Sequence, residues 1–218
     1  MNKFIVLMCL AATMLLSGCD TAPQQENSLI YTYAPRSILV IPPMNNSVEV
    51  NASYTFMSTL SRPLAEKGYY VFPVAVIDNF LKENGLPTPA EMNGIALDKI
   101  QQHIGADAVL YVSIDEWGQK FQLVSSVTIV RATLTMVDTA TGTEIWKARV
   151  SGSDSNSNSN QQGGGIAGAI LSAVVSQIAN SLQDNTYELS RQATNRTVAA
   201  DLPKGPYRLE AEAAMGAK

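Results

Sequence analysis

The chain of 218 residues carries 15 Lys+Arg against 19 Asp+Glu, a formal net charge of −4, with 46% apolar and 16% charged residues. That balance belongs to a globular chain and excludes a disordered polymer or a multi-span membrane protein; without any Lys/Arg cluster, the footprint that a nucleic-acid backbone requires is missing too. With two Cys and one His, His103, there is no material for a thiolate cluster, a zinc site or a His-based triad, so no catalytic residue, cofactor or metal is expected.

Lys3 leads into an apolar run from Phe4 to Leu16. The run has the length of a signal-peptide core and is too short to cross a hydrocarbon layer of about 30 Å as a helix. It closes on Leu16-Ser17-Gly18-Cys19, which resembles a bacterial lipobox: small residues admit the signal peptidase, and the Cys19 thiol receives the diacylglycerol. Residues 1–18 are therefore expected to be a lipoprotein signal peptide, and Cys19 the lipidated first residue of the mature chain. Cys9 leaves with the signal, so the mature chain has no second thiol and no disulfide. Asp20 resembles the enterobacterial signal that retains lipoproteins in the inner membrane, which favours that membrane, with the outer membrane as the alternative. Residues 19–35, polar and Pro-bearing, read as a flexible stalk.

A single domain is expected over residues 36–199. Ser37–Ile41 (SILVI), stopped by Pro42-Pro43, suits a strand buried on both faces. Asn51 then begins a helix in which Phe56, Leu60 and Leu64 recur every four residues; Lys67-Gly68 ends it, and Pro63 kinks or divides it. Tyr69–Val74 follows as a strand parallel to the first. A helical stretch around Val76–Glu83, a Pro-containing loop Gly85–Pro89 and a second helix, Ile95–Ile104, lead to three strand-like runs: Ala108–Glu116, Phe121–Val137 and Thr143–Val150. Asp138–Gly142 (DTATG) supplies the turn of an antiparallel hairpin between the last two. Ser151–Gly165 is low-complexity and reads as a mobile loop. Ile166, Ile170, Val174, Ile178 and Leu182 then form the apolar stripe of an amphipathic helix within 166–199, and residues 200–218 read as a loosely held tail. The fold class is α/β, an α+β sandwich with about five strands in a mixed sheet, helices on one face and a C-terminal amphipathic helix.

Gly163 to Gly168 (GGGIAG) matches a dinucleotide fingerprint literally, but a Ser/Asn tract precedes it where a strand is needed, and the acid downstream, Asp184, lies in helix. Asp115 and Glu116 at a strand end, with Asp78 and Glu83 near a helix, are the carboxylates open to acid–base work, yet no second convergent group accompanies them. His103 reads as a solvated or capping side chain. Trp117, Trp146, Tyr69 and Tyr70 serve equally as interface anchors or as core.

The phrases PRSILVIPPMNNSVEV, RPLAEKGYYVFPVAVIDNFLKENGLPTP, IGADAVLYVSIDEWG and TLTMVDTATGTEIWKARV resemble a family of bacterial lipoproteins of unknown function that includes a neisserial surface-antigen vaccine candidate, over Pro35 to about Arg191. More distantly, the element order is similar to the curli secretion lipoprotein, the penicillin-binding-protein activator lipoprotein and the amino-terminal domain of the Tol-Pal propeller protein. The resemblance implies a non-enzymatic, periplasm-facing lipoprotein that acts through the membrane anchor, other envelope lipoproteins of curli-transport type or transporter subunits, or a second copy as a homodimer. It implies a binding or scaffold subunit of an envelope transport or assembly complex. The alternatives are an oligomeric outer-membrane channel component and an auxiliary lipoprotein of a lipid or small-molecule transporter. The helix Gly165–Leu182 and the sheet edge are the expected contact surfaces.

Overall fold

Ile38, Leu39, Val40 and Ile41 are all essentially inaccessible to solvent, although successive strand residues point to opposite faces. A strand with both faces buried must lie inside its sheet and carry a layer on each side, and the computed structural model, which describes residues 27–121, 126–155 and 185–216, shows both. The sheet has six strands: β1 (Ser37–Val40), β2 (Met44–Asn45), β3 (Tyr70–Val71), β4 (Ala108–Phe121), β5 (Ser126–Asp138) and β6 (Glu144–Ser155). The order is β3-β1-β4-β5-β6. The expected parallel pairing of the first two apolar strands is present, Ser37 opposite Tyr70, and β1 also runs parallel to β4, Ile38 opposite Ala108. After Pro42-Pro43, which lack N–H donors, β2 rejoins the same side of β4 at Ser113 and Ile114.

One face is roofed by α1 (Asn27–Tyr33), α2 (Ala52–Ser58), α3 (Ser61–Glu66) and α7 (Thr186–Asp201). Phe56, Leu60 and Leu64, the predicted stripe, are completely buried there. The helix is divided as expected: α2 stops at Ser58, and Pro63 falls in the first turn of α3, where a missing N–H costs least. Thr59 donates its hydroxyl to the Phe56 carbonyl at 2.7 Å and lies 3.2 Å from the Thr194 hydroxyl, which ties this break to α7. A second, smaller layer, α4 (Val74–Glu83), α5 (Pro89–Asn93) and α6 (Leu97–His103), covers Leu39, Ile41 and Val109 on the opposite face. The Pro-containing loop seeds α5, because Thr88 and Glu91 form a reciprocal capping box with Pro89 at the first helical position.

Strands β4, β5 and β6 form an antiparallel meander, with the predicted turn at Asp138–Gly142. The run read as one strand from Phe121 is two: β4 continues to Phe121, and β5 begins at Ser126. A bulge between Ile114 and Glu116 changes which residues of β4 point inward. Before it, Ala108, Leu110, Val112 and Ile114 enter the core; after it Trp117 does, meeting Phe56 edge-on with ring centroids 6.2 Å apart at 74°, while Glu116 turns outward to face Arg131. Strand β6 runs to Ser155, past the expected end at Val150 and into the Ser/Asn tract. Gly152 eases this: a Cβ there would stand 3.1 Å from both Ala193 and Leu189, so any side chain would require these α7 residues to shift by a few tenths of an ångström. The remainder of the tract and the stripe Ile166–Leu182 lie outside the described residues.

Both ends of the domain differ from expectation. Part of the supposed stalk is α1, whose Ile30 is 2% exposed in the core. The supposed loose tail contains α8 (Pro206–Gly216), held by backbone bonds from Gly205 N–H to the Lys67 carbonyl at 2.7 Å and from Tyr207 N–H to the Gly68 carbonyl at 3.2 Å. The approach works because both chains lack a Cβ where they touch. Gly68 has φ +94°, and a Cβ on it would overlap Arg208; a Cβ on Gly205 would stand 2.5 Å from the Gly68 oxygen. Gly68→Ala is therefore expected to pry α8 away, removing amide-exchange protection at Tyr207 and costing more than about 1 kcal/mol in urea unfolding.

Candidate lipid anchor and interaction surfaces

The residues expected to form the lipobox (Leu16, Ser17, Gly18), to be lipidated (Cys19) and to direct sorting (Asp20) lie outside the described residues, as does the GGGIAG stretch. The chain enters the described domain through α1, which is followed by Ala34, the one non-glycine residue with positive φ (42°) among the described residues. That turn aims Arg36 and Ser37 at Asp107. The Arg36 and Ser37 amides and the Ser37 hydroxyl all donate to Asp107 Oδ2 at 2.9 Å, and the Asp107 amide donates to Ser37 Oγ at 3.0 Å. Tyr33 reaches across to Thr143 in the β5–β6 turn at 3.2 Å. The Arg36 guanidinium forks onto Glu210 of α8 at 2.6 and 3.2 Å, with Tyr207 stacked 4.4 Å away, and holds the Glu210 carboxyl below its usual range. The terminal helices thus converge on the end of the sheet where β1 and β4 begin.

The candidate acids are dispersed and already engaged. Glu116 is bridged by Lys120 and Arg131 at 3.0 Å each, and these cations, Lys120 foremost, hold it below the ordinary carboxylate range. A general acid needs the opposite shift. Asp115 sits exposed at the bulge, 3.4 Å from the hydroxyls of Ser113 and Thr133. Asp78 is buried on α4 and paired with Lys82 at 2.6 Å, while Glu83 is exposed at the end of that helix. His103 is exposed in the last turn of α6, just before β4 begins, whereas Asp115 and Glu116 lie far along β4. Among the described residues no group of three or more His, Cys, Asp or Glu gathers as a metal site.

The aromatic residues divide cleanly. Trp117 and Trp146 belong to the core, Trp146 donating its indole N–H to the Asp201 carbonyl at 3.2 Å. Tyr69 is buried with its hydroxyl donating to Pro203 at 3.2 Å, and burial raises its pKa. Tyr70 is half exposed on the edge strand β3, its ring edge-on to Phe72 at 5.1 Å. At the other edge, no strand among the described residues pairs with the outer side of β6. Beside it the outward face carries exposed Arg131, Lys147 and Arg149. Above the β6 end, α7 presents Glu188, clamped by Arg191 through bonds of 2.8 and 2.6 Å. The docking of α8 was missed from sequence, although Pro206 followed by YRLEAEAAM, a Pro at the first position ahead of strong helix formers, was a usable signal.

A mixed α/β domain that enters its sheet from a helix eight residues after an L-S-G-C cysteine has the build of a bacterial lipoprotein, and the comparisons with known proteins agree on that class. Residues 28–207 match the family model described as "Putative lipoprotein GNA1162-like", and the chain belongs to that family. It is 38% identical over 193 residues, 86% of this chain and 87% of the other, to "Putative lipoprotein NMB1124/NMB1162" of Neisseria meningitidis serogroup B strain MC58. Among solved structures it is similar to the crystal structure of lipoprotein GNA1162 from Neisseria meningitidis, at 41% identity and TM-score 0.53, covering 67% of this chain and 99% of that one. The PelC dodecamer from Paraburkholderia phytofirmans also matches, at 16% identity and TM-score 0.39, over 74% of this chain and 86% of that one. Among the described residues no helix is long and apolar enough to cross a membrane.

Arg191, followed by Gln192, lowers the Glu188 carboxyl to about 2. A depressed carboxyl stabilises the fold above its unfolded pKa, and the contribution is lost as pH falls through about 2. An NMR pH titration should place the Glu188 carboxyl there, and Arg191→Ala should return it toward the ordinary glutamate range.

Proposed function

We propose that this protein is a lipid-anchored, periplasm-facing lipoprotein that acts as a non-catalytic binding or scaffold subunit of a cell-envelope transport or assembly complex. The observation that carries this reading is the edge of the 12-residue strand β6: its inner side pairs with β5, and its outer side meets no strand among the described residues. Such an edge offers a row of backbone donors and acceptors that a partner can satisfy. Membership of a lipoprotein family supports the anchor. The candidate acids support the absence of chemistry, because Glu116 and Asp78 are bound up in ion pairs and His103 stands apart from both.

The channel alternative is disfavoured by the same strands. Membrane strands need about 9–11 residues with a lipid-facing apolar side. The meander is long enough, at 14, 13 and 12 residues, but one face is the domain core and the other exposes Arg131, Lys147 and Arg149. Charges on a lipid face cost about 2–4 kcal/mol each at mid-depth. Asp20 keeps the inner membrane as the favoured location.

Affinity capture from membranes with the intact lipoprotein, against a Cys19→Ala form, tests the reading. Cys19→Ala is expected to lose its acyl mass and leave the membrane fraction, and only the intact protein should recover an envelope lipoprotein or transporter subunit. Recovery of no envelope protein, while the tagged chain still complements a deletion, would sink the scaffold role.

A further inference from the structure

The two terminal helices leave an open groove of about 260 Å³ at the end of the domain where the chain enters. Ile30 and Tyr31 of α1, Tyr69, and Pro206 and Leu209 of α8 supply its apolar lining, with Lys204 and Glu210 as its charged groups. We propose that this α1–α8 groove is the surface the domain lays against the bilayer that holds its own anchor. The inference rests on the reading of Cys19 as the lipidated residue.

Reach comes first. Cys19 is eight residues before Asn27, where α1 begins. At about 3.3–3.6 Å per residue the link spans at most about 29 Å when fully extended. The acyl chains therefore keep the start of α1 within about 29 Å of the headgroups. A tether this short gives the second contact an effective concentration in the millimolar range, so a small apolar patch that would never recruit a free protein suffices to orient a bound one.

The chemistry of the patch fits a lipid interface. Tyr31 is 59% exposed, Tyr207 47% and Leu209 42%. Tyrosines with an apolar body and a polar tip favour the headgroup level, and long cations lay their stems along apolar surface while the charge stays in water. Arg36, Lys67, Lys204 and Arg208 surround this end together with Asp107, Asp201, Glu210 and Glu212, and burial, followed by the nearby Arg208 and Lys204, lowers the Lys67 pKa. The surface is also firmly supported, by the Arg36–Glu210 fork and the Gly68–Gly205 contact, so docking need not order a loose segment.

The mature chain makes the test clean, since Cys19 is acylated and Cys9 is gone with the signal. Single thiols are placed by Tyr31→Cys and Leu209→Cys, with Val48→Cys as control. Val48 is apolar and 98% exposed, but it follows β2, away from the groove along the strands. Each full-length lipoprotein carries an environment-sensitive fluorophore and is reconstituted into vesicles of phosphatidylethanolamine and phosphatidylglycerol, with the Cys19 acyl mass measured on the same sample. The expected result is a blue shift at residues 31 and 209 and a loss of emission to nitroxide-bearing lipid, with neither at residue 48. Acylated protein whose labels at 31 and 209 respond no more than the control overturns the inference and leaves the anchor standing. A blue shift without lipid quenching also overturns it, since a second copy or another protein then fills the groove. A Cys19 without acyl mass overturns the anchor reading and this inference with it.

Discussion

Complete burial of β1 on both faces is the constraint from which the rest of the domain follows. Four consecutive apolar residues, Ile38 to Ile41, cannot hide against one layer, because adjacent side chains point in opposite directions. Parallel neighbours β3 and β4 satisfy the backbone of β1, and parallel neighbours require crossover segments, here α2–α3 on one side and α4–α6 before β4. The helices needed to make the connections are also the ones that cover the faces. Burying an aliphatic side chain of this size is worth about 1.5–3 kcal/mol, so these few residues commit a substantial share of the folding free energy to one arrangement.

The antiparallel half of the sheet is governed by a different economy. One face joins the same core through Val130, Ala132, Leu134 and Met136 of β5 and Trp146, Ala148 and Val150 of β6; the other presents polar and charged residues to solvent. The bulge at Asp115 lets β4 serve both halves. By inserting one residue it delivers Trp117 to Phe56 and turns Glu116 outward into its ion pairs; an unbroken alternation would have sent the carboxylate into the core. The carboxylates at this strand end are explained by that local geometry, and it supplies a structural reason for residue types that in isolation suggest acid–base chemistry.

Function, on this reading, belongs to the two ends and the edge and not to a cleft. Entry helix and exit helix meet over the start of β1, locked by Asp107, Arg36–Glu210 and the glycine contact. The opposite margin, β6 beneath α7, is where backbone groups remain open to a partner among the described residues. The proposed scaffold role rests on that open margin, and the proposed anchor enters at the opposite end through α1.

How much of this was legible in the residues depends on the range of the interaction involved. The first strand, the helix split near Pro63, the parallel strand after Gly68, the turn at Asp138–Gly142 and the mixed sheet could be read directly, because each is written in side-chain period or in a local backbone preference. The family, too, was recognisable from short distinctive phrases. The extension of β6 into a Ser/Asn tract was not, since polar residues there pair with β5 and Gly152 matters only because α7 crosses it. Nor was the docking of α8 onto Gly68, or the groove it forms with α1. The sequence by itself determined the local elements, for these depend on neighbours within a few residues. Only the tertiary structure decided which glycines must be bare, which acids are neutralised by distant cations and which surfaces stay open, because those depend on contacts between segments up to 174 residues apart.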